Sequence, residues 1–415
     1  MMKTKVSILE IWLGETLVGF LSGFQGGKNI FTFDENYIHL GRDKPILSLS
    51  FLDDNQLKVP YVSNQALPPF FSNMLPEGDY RSYVLNSLQF KSSDEFKLFK
   101  AISGDCPGNI IVKAEDVSQN NIITLKPELL TEIKKPSIRF SLAGVQLKFS
   151  LQMINGRYTV PQRHPGNVIV KIPSSIYPHL PENEFSMMQL AKAVGVTIPE
   201  IKIVPLETFK DSINIKHFNN QYAYVIRRFD RFGENGRIHC EDFAQALGVR
   251  PSQKYDAANH ETIAKIIMAL FPNGMVQLEQ FLIRVFVNVL LGNTDAHLKN
   301  WSILFEDGKH PSLAPAYDIV STLEYLDNQE LALNFCKIKN FYEITDKTLI
   351  KFSERIDVDK RFILNVAEKV ISNANDLWPQ LLRELPISID SRNALRFHWK
   401  KLKKPFNLSG LTEFI

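Results

Sequence analysis

The pattern of secondary structure changes near residue 240, and this change constrains the fold more than any other feature. Residues 106–230 contain short segments rich in β-branched and aromatic residues, separated by turn residues, with one amphipathic helical segment, ENEFSMMQLAKAVG, among them. From Glu241 onward the pattern is mostly helical and includes the long apolar segment LEQFLIRVFVNVLLG. We therefore predict a β-rich lobe over residues 106–240 and a helical lobe over residues 241–415.

A further unit precedes these two lobes. Residues 3–62 contain strand-like segments such as KVSILEIWL and ETLVGFLSGF, joined by a turn signal at Gly14, and DEFKLFKAIS further on has a helical pattern. We place a boundary near Asp105 and predict an N-terminal β/α subdomain over residues 1–105. Because a β-rich lobe followed by a helical lobe is the layout of protein kinases, the predicted fold is α+β, two-lobed and protein-kinase-like, with this subdomain added.

Composition excludes several classes of protein. The 48 Lys and Arg residues nearly balance the 45 Asp and Glu residues, so a dedicated nucleic-acid binder is not expected. Cys106, Cys240 and Cys336 have no CxxC or CxxH spacing, which argues against a zinc site or a disulfide framework and favours a reducing cytoplasm. Glu10 and Glu15 interrupt the N-terminal apolar pattern, and no window of about 18 uncharged apolar residues exists. Neither a signal peptide nor a membrane span is therefore predicted.

The stretch GNTDAHLKNWSILF, residues 292–305, crowds four polar side chains into six positions: Asp295, His297, Lys299 and Asn300. Phosphoryl transfer needs a carboxylate that positions or deprotonates the attacking hydroxyl, and oxygen ligands for magnesium. Asp295 and Asn300 have the D-x-x-x-x-N spacing of a kinase catalytic loop, so Asp295 would be the base and Asn300 a metal ligand. The same residues could instead form only a capping cluster at a helix end, and His297 could be a satisfied core histidine.

Three other segments fit the same chemistry. LAPAYDIVS places Asp318 among apolar residues, where an unpaired carboxylate is costly, so Asp318 is predicted as a second magnesium ligand. The apolar strand NVIVKIP ends at Lys171, which could reach phosphates, although a lysine that closes a strand is usually a solvated edge residue. The turn SLAGVQLK, residues 141–148, could cradle a phosphate with its backbone N–H groups. The order of these segments along the chain favours a kinase more than any one of them does.

Taken together, these segments resemble the HipA family, the serine/threonine kinase toxins of bacterial type II toxin–antitoxin systems. The resemblance rests on SLAGVQLKFSL, NVIVKIP, VIRRFDR, EDFAQALGV followed by KYD, GNTDAHLKNWSI and LAPAYDIVS. In the N-terminal segment it rests on GFQGGKNIFTFDENYI and FFSNMLPEG. It covers nearly the whole chain, and T-D-A-H-x-K-N with the later Y-D is quite specific to the family.

The resemblance implies a role for each matching position. Asp295 would be the catalytic base, and Asn300 and Asp318 would hold Mg²⁺. Ser141 would be autophosphorylated, which switches the kinase off because added negative charge beside the phosphate-binding loop repels ATP. The residues implied in ATP binding form the phosphate-binding loop, the strand lysine, the hinge and the surroundings of the catalytic loop: Ala143, Gly144, Val145, Gln146, Leu147, Lys148, Lys171, Arg227, Arg228, Phe229, His297, Lys299 and Tyr317.

Two of these positions depart from the family pattern. The hinge residue is often Glu in the family and is Arg227 here, so adenine contacts are expected from backbone atoms. Leu147 stands where an acidic residue is common. Because such a loop works mainly through N–H groups, we expect its binding geometry to tolerate the change.

The resemblance also implies an activity and partners. The expected reaction transfers the γ-phosphate of ATP, with Mg²⁺, to a serine of a protein, with an aminoacyl-tRNA synthetase as the expected substrate and translation arrest and persistence as the result. The expected partner is a small HipB-like helix-turn-helix antitoxin that binds operator DNA, so contact with DNA would come mainly through that complex. The tail FHWKKLKKPF could contact phosphates in that complex through four lysines: Lys400, Lys401, Lys403 and Lys404. The alternative is that the tail is only a solvated basic terminus.

Three other functions fit parts of the sequence. The first is a catalytically silent kinase-like partner or corepressor of a DNA-binding antitoxin, which the retention of all four kinase residues argues against. The second is a metal-dependent nuclease that uses Asp295, His297 and Asp318, which leaves the β-rich lobe and Lys171 unexplained. The third is a small-molecule kinase, since the sequence identifies a donor site better than an acceptor site.

Overall fold

The computed structural model has the predicted α+β architecture, with an N-terminal β/α subdomain, a β-rich lobe and a helical lobe. It describes residues 6–88, 90, 94–114, 146–161, 165–174, 176–212, 221–233, 235–327 and 330–414.

The N-terminal subdomain is an antiparallel sheet with short helices beside it. Its strands and helices are β1 (Val6–Leu13), β2 (Thr16–Phe24), β3 (Lys28–Phe33), β4 (Tyr61–Asn64), β5 (Ile110–Ala114), α1 (Glu35–His39), α2 (Asp54–Leu57), α3 (Pro69–Ser72), α4 (Gly78–Ser87) and α5 (Glu95–Ile102). The sheet has the order β4-β3-β2-β1-β5. The predicted turn between β1 and β2 is present at Gly14, whose φ of +60° is one that glycine adopts without steric cost. Because β5 pairs with β1, the sheet continues past the expected boundary at Asp105.

The β-rich lobe is a second antiparallel sheet crossed by one helix. Its elements are β6 (Lys148–Ile154), β7 (Arg157–Thr159), β8 (Val168–Lys171), β9 (Ile201–Pro205), β10 (Tyr222–Arg227) and α6 (Leu180–Ala193). The strand order is β7-β6-β8-β10-β9, so β8, with its buried Val168 and Val170, lies at the centre. The register of β6 against β8 places Lys148 directly opposite Lys171. This pairing brings two ammonium groups to the same end of the sheet.

The helical lobe begins with small strands and continues with six helices in the part of the chain that the structure describes. Its elements are β11 (Arg231–Phe232), β12 (Gly236–Arg237), β13 (His239–Asp242), α7 (Phe243–Ala246), α8 (His260–Leu270), α9 (Gly274–Leu291), β14 (Ser302–Phe305), β15 (Ser312–Leu313), β16 (Glu330–Phe335), β17 (Ile338–Asn340), α10 (Asp346–Ile356), α11 (Lys360–Glu384) and α12 (Ile389–Lys401). Strand β13 starts before residue 241 and pairs with β14, so the change from one lobe to the other falls within residues 228–238.

Two large hydrophobic clusters hold the three units together. One cluster joins the N-terminal sheet to the β-rich lobe and includes Leu9, Phe71 and Val170. The other fills the helical lobe and takes in α6 through Met187 and Met188, both fully buried. Helix α6 therefore packs with the helical lobe while it crosses the sheet of the β-rich lobe, so both lobes fix its position.

The N-terminal subdomain is also fastened to the helical lobe by buried polar contacts. Glu241 accepts hydrogen bonds from Ser48 Oγ at 2.5 Å and from the Leu49 N–H at 2.8 Å. Asn73 Nδ2 donates to the Val249 carbonyl at 2.7 Å, and Gln245 donates to a backbone carbonyl of α3. These contacts make the subdomain a third wall of the space between the lobes.

Helix α9 is long and apolar enough to cross a membrane by composition alone. Most of it is buried in the helical lobe, including Phe281, Leu282 and Phe286. Its hydrophobicity is therefore that of a central core helix.

Three buried histidines predict a loss of stability in acid. Burial lowers the pKa of His239, His260 and His398 to about 4, against an ordinary value of 6.5. The folded protein keeps these rings neutral, whereas the unfolded chain takes up protons as the pH falls below 6.5. Their contribution to the free energy of unfolding is complete above pH 6.5 and is lost between pH 6.5 and 4. The loss is on the order of 1–3 kcal/mol for each ring.

A His398→Gln variant isolates one of these contributions. We expect its thermal midpoint to fall less than that of wild type when the pH is lowered from 6.5 to 4, measured by circular dichroism. The variant must be compared with wild type because another buried group has the opposite effect on stability. Burial raises the pKa of Glu241 to about 8, so this group stabilises the fold as the pH falls. His39→Gln, at an exposed position, is the control and should follow wild type. Equal slopes for all three proteins would contradict the assignment.

Candidate active site

A cleft of about 450 Å³ lies where the three units meet. The β-rich lobe contributes Lys148 and Lys171, and the helical lobe contributes the loop that follows α9. The N-terminal subdomain closes the third side with residues that include Glu77 and Phe99. This volume suits a nucleotide-sized ligand, for which pockets of about 300–1,000 Å³ are usual.

The loop after α9 is held in one conformation by its own polar side chains. Helix α9 ends at Gly292, whose φ is +64° and where an added Cβ would lie 2.5 Å from the Leu323 side chain, so glycine is required. Asn293 then donates to Asn288 Oδ1 at 2.8 Å and accepts from the N–H of Asp295 at 3.0 Å. The Thr294 hydroxyl bonds to that of Thr322 at 2.9 Å. A rigid turn therefore places Asp295 in a small cavity beside the cleft, together with Lys171 and Asp318.

Asp295 and Asn300 are adjacent in this loop. The Asn300 side-chain amide donates to the backbone carbonyl of Asp295 at 2.7 Å, which leaves the amide oxygen as the atom that can serve a cation. Asp295 is 6% exposed, and its Oδ1 accepts from the Tyr255 hydroxyl at 2.6 Å. The turn that follows is a short 3-10 helix whose N-cap, His297, makes no side-chain capping bond. The arrangement is therefore not the capping cluster that the spacing alone allowed.

Lys171 lies between two carboxylates. Its Nζ is 2.7 Å and 2.9 Å from the two oxygens of Glu184 on α6, and it also bonds to Asp318. Burial would lower the pKa of Lys171, but the two carboxylates outweigh it and raise the pKa above the ordinary value. Only 10% of the side chain is exposed, so Lys171 is not a solvated edge residue. A Lys–Glu ion pair between a strand and a helix is the arrangement that protein kinases use to hold ATP phosphates.

Asp318 stays ionised at the bottom of the cleft. Burial would raise its pKa, but Lys171 and then Lys148 lower it to about 2. Its φ of +54° is rare for a residue other than glycine, and such strain is found mainly at functional sites. For Lys148, burial lowers the pKa, and the Asp318 carboxylate opposes that effect. The two cross-strand lysines therefore depend on Asp318 and Glu184 as counter-ions.

The described end of the predicted phosphate-binding loop is fixed to the residue that follows β8. Gln146 donates to the Ile172 carbonyl at 3.0 Å, and the Ile172 N–H donates to the Leu147 carbonyl at 3.1 Å. The Leu147 side chain is buried in the hydrophobic cluster under the sheet. Four of the predicted positions lie outside the described residues: Ser141, Ala143, Gly144 and Val145.

The three hinge residues differ in what they contact. Phe229 packs against Tyr317 with ring centroids 5.7 Å apart, and Arg227 lines the cleft. Arg228 lines it too, but its guanidinium is bound to Asp105 and Asp230 at 2.9 Å and 2.8 Å. The charge of Arg228 therefore joins the N-terminal subdomain to the hinge, and its side chain is not available as a separate ligand for adenine.

His297 and Tyr317 have different surroundings beside the predicted catalytic loop. His297 is 1% exposed, and neither ring nitrogen has a hydrogen-bond partner among the described residues. Burial, followed by the charges of Lys254 and Lys299, puts its pKa well below the ordinary value, so the ring is neutral. The 4.0 Å between His297 Nε2 and Asp295 Oδ1 is therefore not an ion pair. Tyr317 bonds to Ser302 Oγ at 2.6 Å and donates to the Lys299 carbonyl at 2.8 Å, which fixes the end of the loop.

Three residues of the site were missed by the sequence reasoning. Glu184 shares the buried face of α6 with Met187 and Met188, and a carboxylate on that face was a signal for a buried cation. Tyr255, which donates to Asp295, belongs to the KYD segment on which the resemblance rests, but no role was predicted for it. Glu77 bonds to Lys254 and Lys299 across the subdomain boundary. Nothing in the local sequence predicts that contact.

Known families and proteins match nearly the whole length of this chain. The HipA N-terminal domain family matches residues 9–113, and the HipA-like C-terminal domain family matches residues 140–378. The Y4dM protein of Sinorhizobium fredii is 34% identical in an alignment of 407 positions that covers 95% of this chain and 97% of that protein. The serine/threonine-protein kinase toxin HipA of Shewanella oneidensis is 30% identical over 440 residues, with 96% and 95% of the two chains covered.

A solved structure agrees with the architecture. A chain of the complex of HipA, HipB and operator DNA from Shewanella oneidensis MR-1 superposes with a TM-score of 0.76 at 23% identity, covering 98% of this chain and 96% of that one. At this identity the superposition shows a shared fold. Together with the two matched domains and the full-length relatives, it establishes that the chain belongs to the HipA family.

Proposed function

We propose that this protein is a cytoplasmic serine/threonine-protein kinase toxin that transfers the γ-phosphate of ATP to a serine of a protein. The observation that carries the proposal is the Lys171–Glu184 ion pair, which bonds to Asp318 and, together with Asp295, lines a small cavity beside the cleft. Phosphoryl transfer is catalysed mainly by positioning and by electrostatic stabilisation, and these groups supply both.

ATP would lie between the hinge and the two cross-strand lysines. Backbone atoms of Arg227 and Phe229 would meet adenine, and Lys171 and Lys148 would neutralise phosphate charge. His297, Lys299 and Tyr317 line the same cleft and would border the nucleotide. The expected contacts of residues 143–145 with phosphate remain a prediction.

The donor atoms present suit a magnesium ion. Mg²⁺ is usually held by one or two carboxylates with phosphate oxygens and water, so it does not require a cluster of three acidic residues. Asp318 offers an ionised carboxylate and Asn300 an amide oxygen on the same side of the cleft. When bound, the ion would neutralise charge on the transferred phosphate. The described residues contain no group of three His, Cys, Asp or Glu that could hold a metal.

Asp295 would orient the acceptor hydroxyl and accept its proton. Tyr255 bonds to one carboxylate oxygen of Asp295, and the side chain of Asn300 bonds to its backbone carbonyl, so both the carboxylate and the loop are held in place. An aminoacyl-tRNA synthetase is the proposed acceptor, with translation arrest and persistence as the outcome. Autophosphorylation of Ser141 would end activity, because a phosphate there would repel ATP from the same loop.

The proposed partner is a HipB-like helix-turn-helix antitoxin. Support comes from the family and from the Shewanella oneidensis complex, in which HipA is assembled with HipB and operator DNA. The lysines that follow Trp399 are exposed: Lys400, Lys401, Lys403 and Lys404. In such an assembly the antitoxin would bring DNA to the kinase, and these lysines could lie against that DNA.

Two measurements test the proposal. Purified protein incubated with Mg-ATP should gain the mass of one phosphate, mapped to Ser141 by peptide sequencing, and expression without an antitoxin should arrest growth. Asp318→Asn should show neither effect, because it removes the ionised metal ligand. Growth arrest of equal strength by Asp318→Asn, or wild-type protein that never carries phosphate, would favour the catalytically silent partner or corepressor. Comparison of phosphorylated proteins in cells that express each form would identify the acceptor.

A further inference from the structure

Arg284 is a buried arginine on α9 that has no acidic partner among the described residues. The residue is 3% exposed, and its Nε is completely buried without a hydrogen-bond acceptor in the described part of the chain. The rest of its guanidinium also makes no ion pair or hydrogen bond with the residues that the structure describes. Because burial of a charge is costly unless the charge is paired, an anion is expected beside Arg284.

The ionised residues of the active site do not act as this partner. Burial lowers the pKa of Arg284 to about 9, so the guanidinium is still charged at neutral pH, and Tyr317 is the described group that opposes the effect of burial. Burial raises the pKa of Tyr317 well above its ordinary value, so its hydroxyl is neutral. The Asp318 carboxylate bonds to Lys171, and its pKa is lowered mainly by Lys171 and Lys148. Arg284 therefore has no described carboxylate beside it.

Arg284 lines a small cavity behind the predicted catalytic loop. The cavity has a volume of about 10 Å³, which is room for one group of the size of a water molecule. Asn288, Asn300 and Asp318 are among its other lining residues. Arg284 and Asn288 are one turn apart on α9, so their side chains lie on the same face of the helix.

The orientation of the Asn288 amide follows from a chain of hydrogen bonds. The N–H of Asp295 donates to Asn293 Oδ1, so the nitrogen of the Asn293 amide is the atom that donates to Asn288 Oδ1 at 2.8 Å. Asn288 thus uses its oxygen in this bond, and its NH2 group has no acceptor among the described residues. A guanidinium and an amide NH2 group therefore line the same cavity as hydrogen-bond donors.

We propose that this cavity is a binding site for a small monovalent anion of the size of chloride, held by the guanidinium of Arg284 and the amide NH2 of Asn288. Donors select an anion over a cation, and the small volume excludes carboxylate and phosphate ligands. A water molecule would fit but would leave Arg284 without a counter-ion. The bound anion would stabilise the segments that hold Asn300 and Asp318. The inference is independent of the proposed kinase activity.

The test is whether chloride stabilises the full-length protein through Arg284. Thermal midpoints would be measured by circular dichroism in potassium chloride and in potassium gluconate at equal ionic strength, because gluconate is too large for the cavity. We expect chloride, relative to gluconate, to raise the midpoint of wild type by about 1–2 °C more than that of Arg284→Met, as for a ligand at about tenfold its dissociation constant. Potassium bromide should have the same effect as chloride.

A surface arginine provides the matched control. Arg361 lies at the start of α11, pairs with Asp359 and has 82% of its side chain exposed. Arg361→Met removes the same charge as Arg284→Met and should respond to chloride as wild type does. Equal responses of wild type and a folded Arg284→Met protein would overturn the inference, because the halide would then act elsewhere on the protein or not bind.

A measurement on wild type keeps the inference testable if Arg284→Met does not fold. Crystals of the wild-type protein soaked in potassium bromide should show an anomalous difference peak in the cavity, within hydrogen-bond distance of the Arg284 guanidinium. A water molecule at that place which bromide does not replace would show that the cavity is not an anion site. Neither measurement involves a nucleotide, so failure of the anion site and failure of the kinase proposal are distinguishable.

Discussion

Replacement of Asp295 by asparagine is expected to lower the kcat of phosphoryl transfer by about 100- to 10,000-fold. The carboxylate is the group that can orient the acceptor hydroxyl and accept its proton, and an amide of the same shape cannot accept it. The Asn300 bond goes to the backbone carbonyl of Asp295, so the loop should keep its conformation in the variant. The measurement is incorporation of phosphate from labelled Mg-ATP under single-turnover conditions.

Binding measurements show whether the loss of activity lies in the chemical step or in nucleotide binding. Mg-ADP should bind Asp295→Asn about as tightly as wild type, because Asp295 is not among the residues that line the nucleotide cleft. Asp307→Asn is a matched control, since Asp307 is exposed at the turn between β14 and β15, and its activity should be that of wild type. If Asp295→Asn retains more than about a tenth of the wild-type rate, another group accepts the proton and the proposed role of Asp295 is wrong.

The parts of the site that the sequence predicted are those that lie within one continuous segment. The D-x-x-x-x-N spacing fixes Asp295 and Asn300 in a single turn, because Gly292 ends α9 and the amide of Asn300 reaches back five residues. Likewise, the apolar run before Lys171 predicted a strand that ends at this lysine, and the structure places that strand at the centre of its sheet. The strained backbone of Asp318 was not predictable, but its isolation among apolar residues correctly indicated a need for a partner.

The parts that were missed depend on contacts between distant segments. Lys299 and Glu77 are 222 residues apart, and Lys171 and Asp318 are 147 apart, so no local pattern encodes either pair. For Arg228, the resemblance implied an ATP contact, while its guanidinium binds Asp105 at a distance of 123 residues. Strand β5 shows the same limit. Its pairing with β1 places residues 110–114 in the first sheet, although the local pattern placed them with the next lobe.

Replacement of Lys171 by methionine is expected to reduce phosphoryl transfer about 100- to 1,000-fold, because the ammonium group that faces the transferred phosphate is lost. The same change should destabilise the protein by about 3–5 kcal/mol, since Glu184 and Asp318 would be left as two carboxylates without their shared cation. Burial already raises the pKa of Glu184 to about 7, with Lys171 opposing that effect. The loss of Lys171 raises that pKa further, so the destabilisation should be greatest above pH 7 and smaller near pH 5.

A second substitution separates the two effects of Lys171. In Lys171→Met with Glu184→Gln, one of the two carboxylates that lost their shared cation is made neutral, so we expect the thermal midpoint to recover part of the lost stability. Activity should stay as low as in the single variant, because no cation has been restored to the phosphate site. A double variant no more stable than Lys171→Met would contradict the coupling of the pair. Activity of Lys171→Met within about tenfold of wild type would instead show that the phosphates are held by another cation, for which the cross-strand Lys148 is positioned.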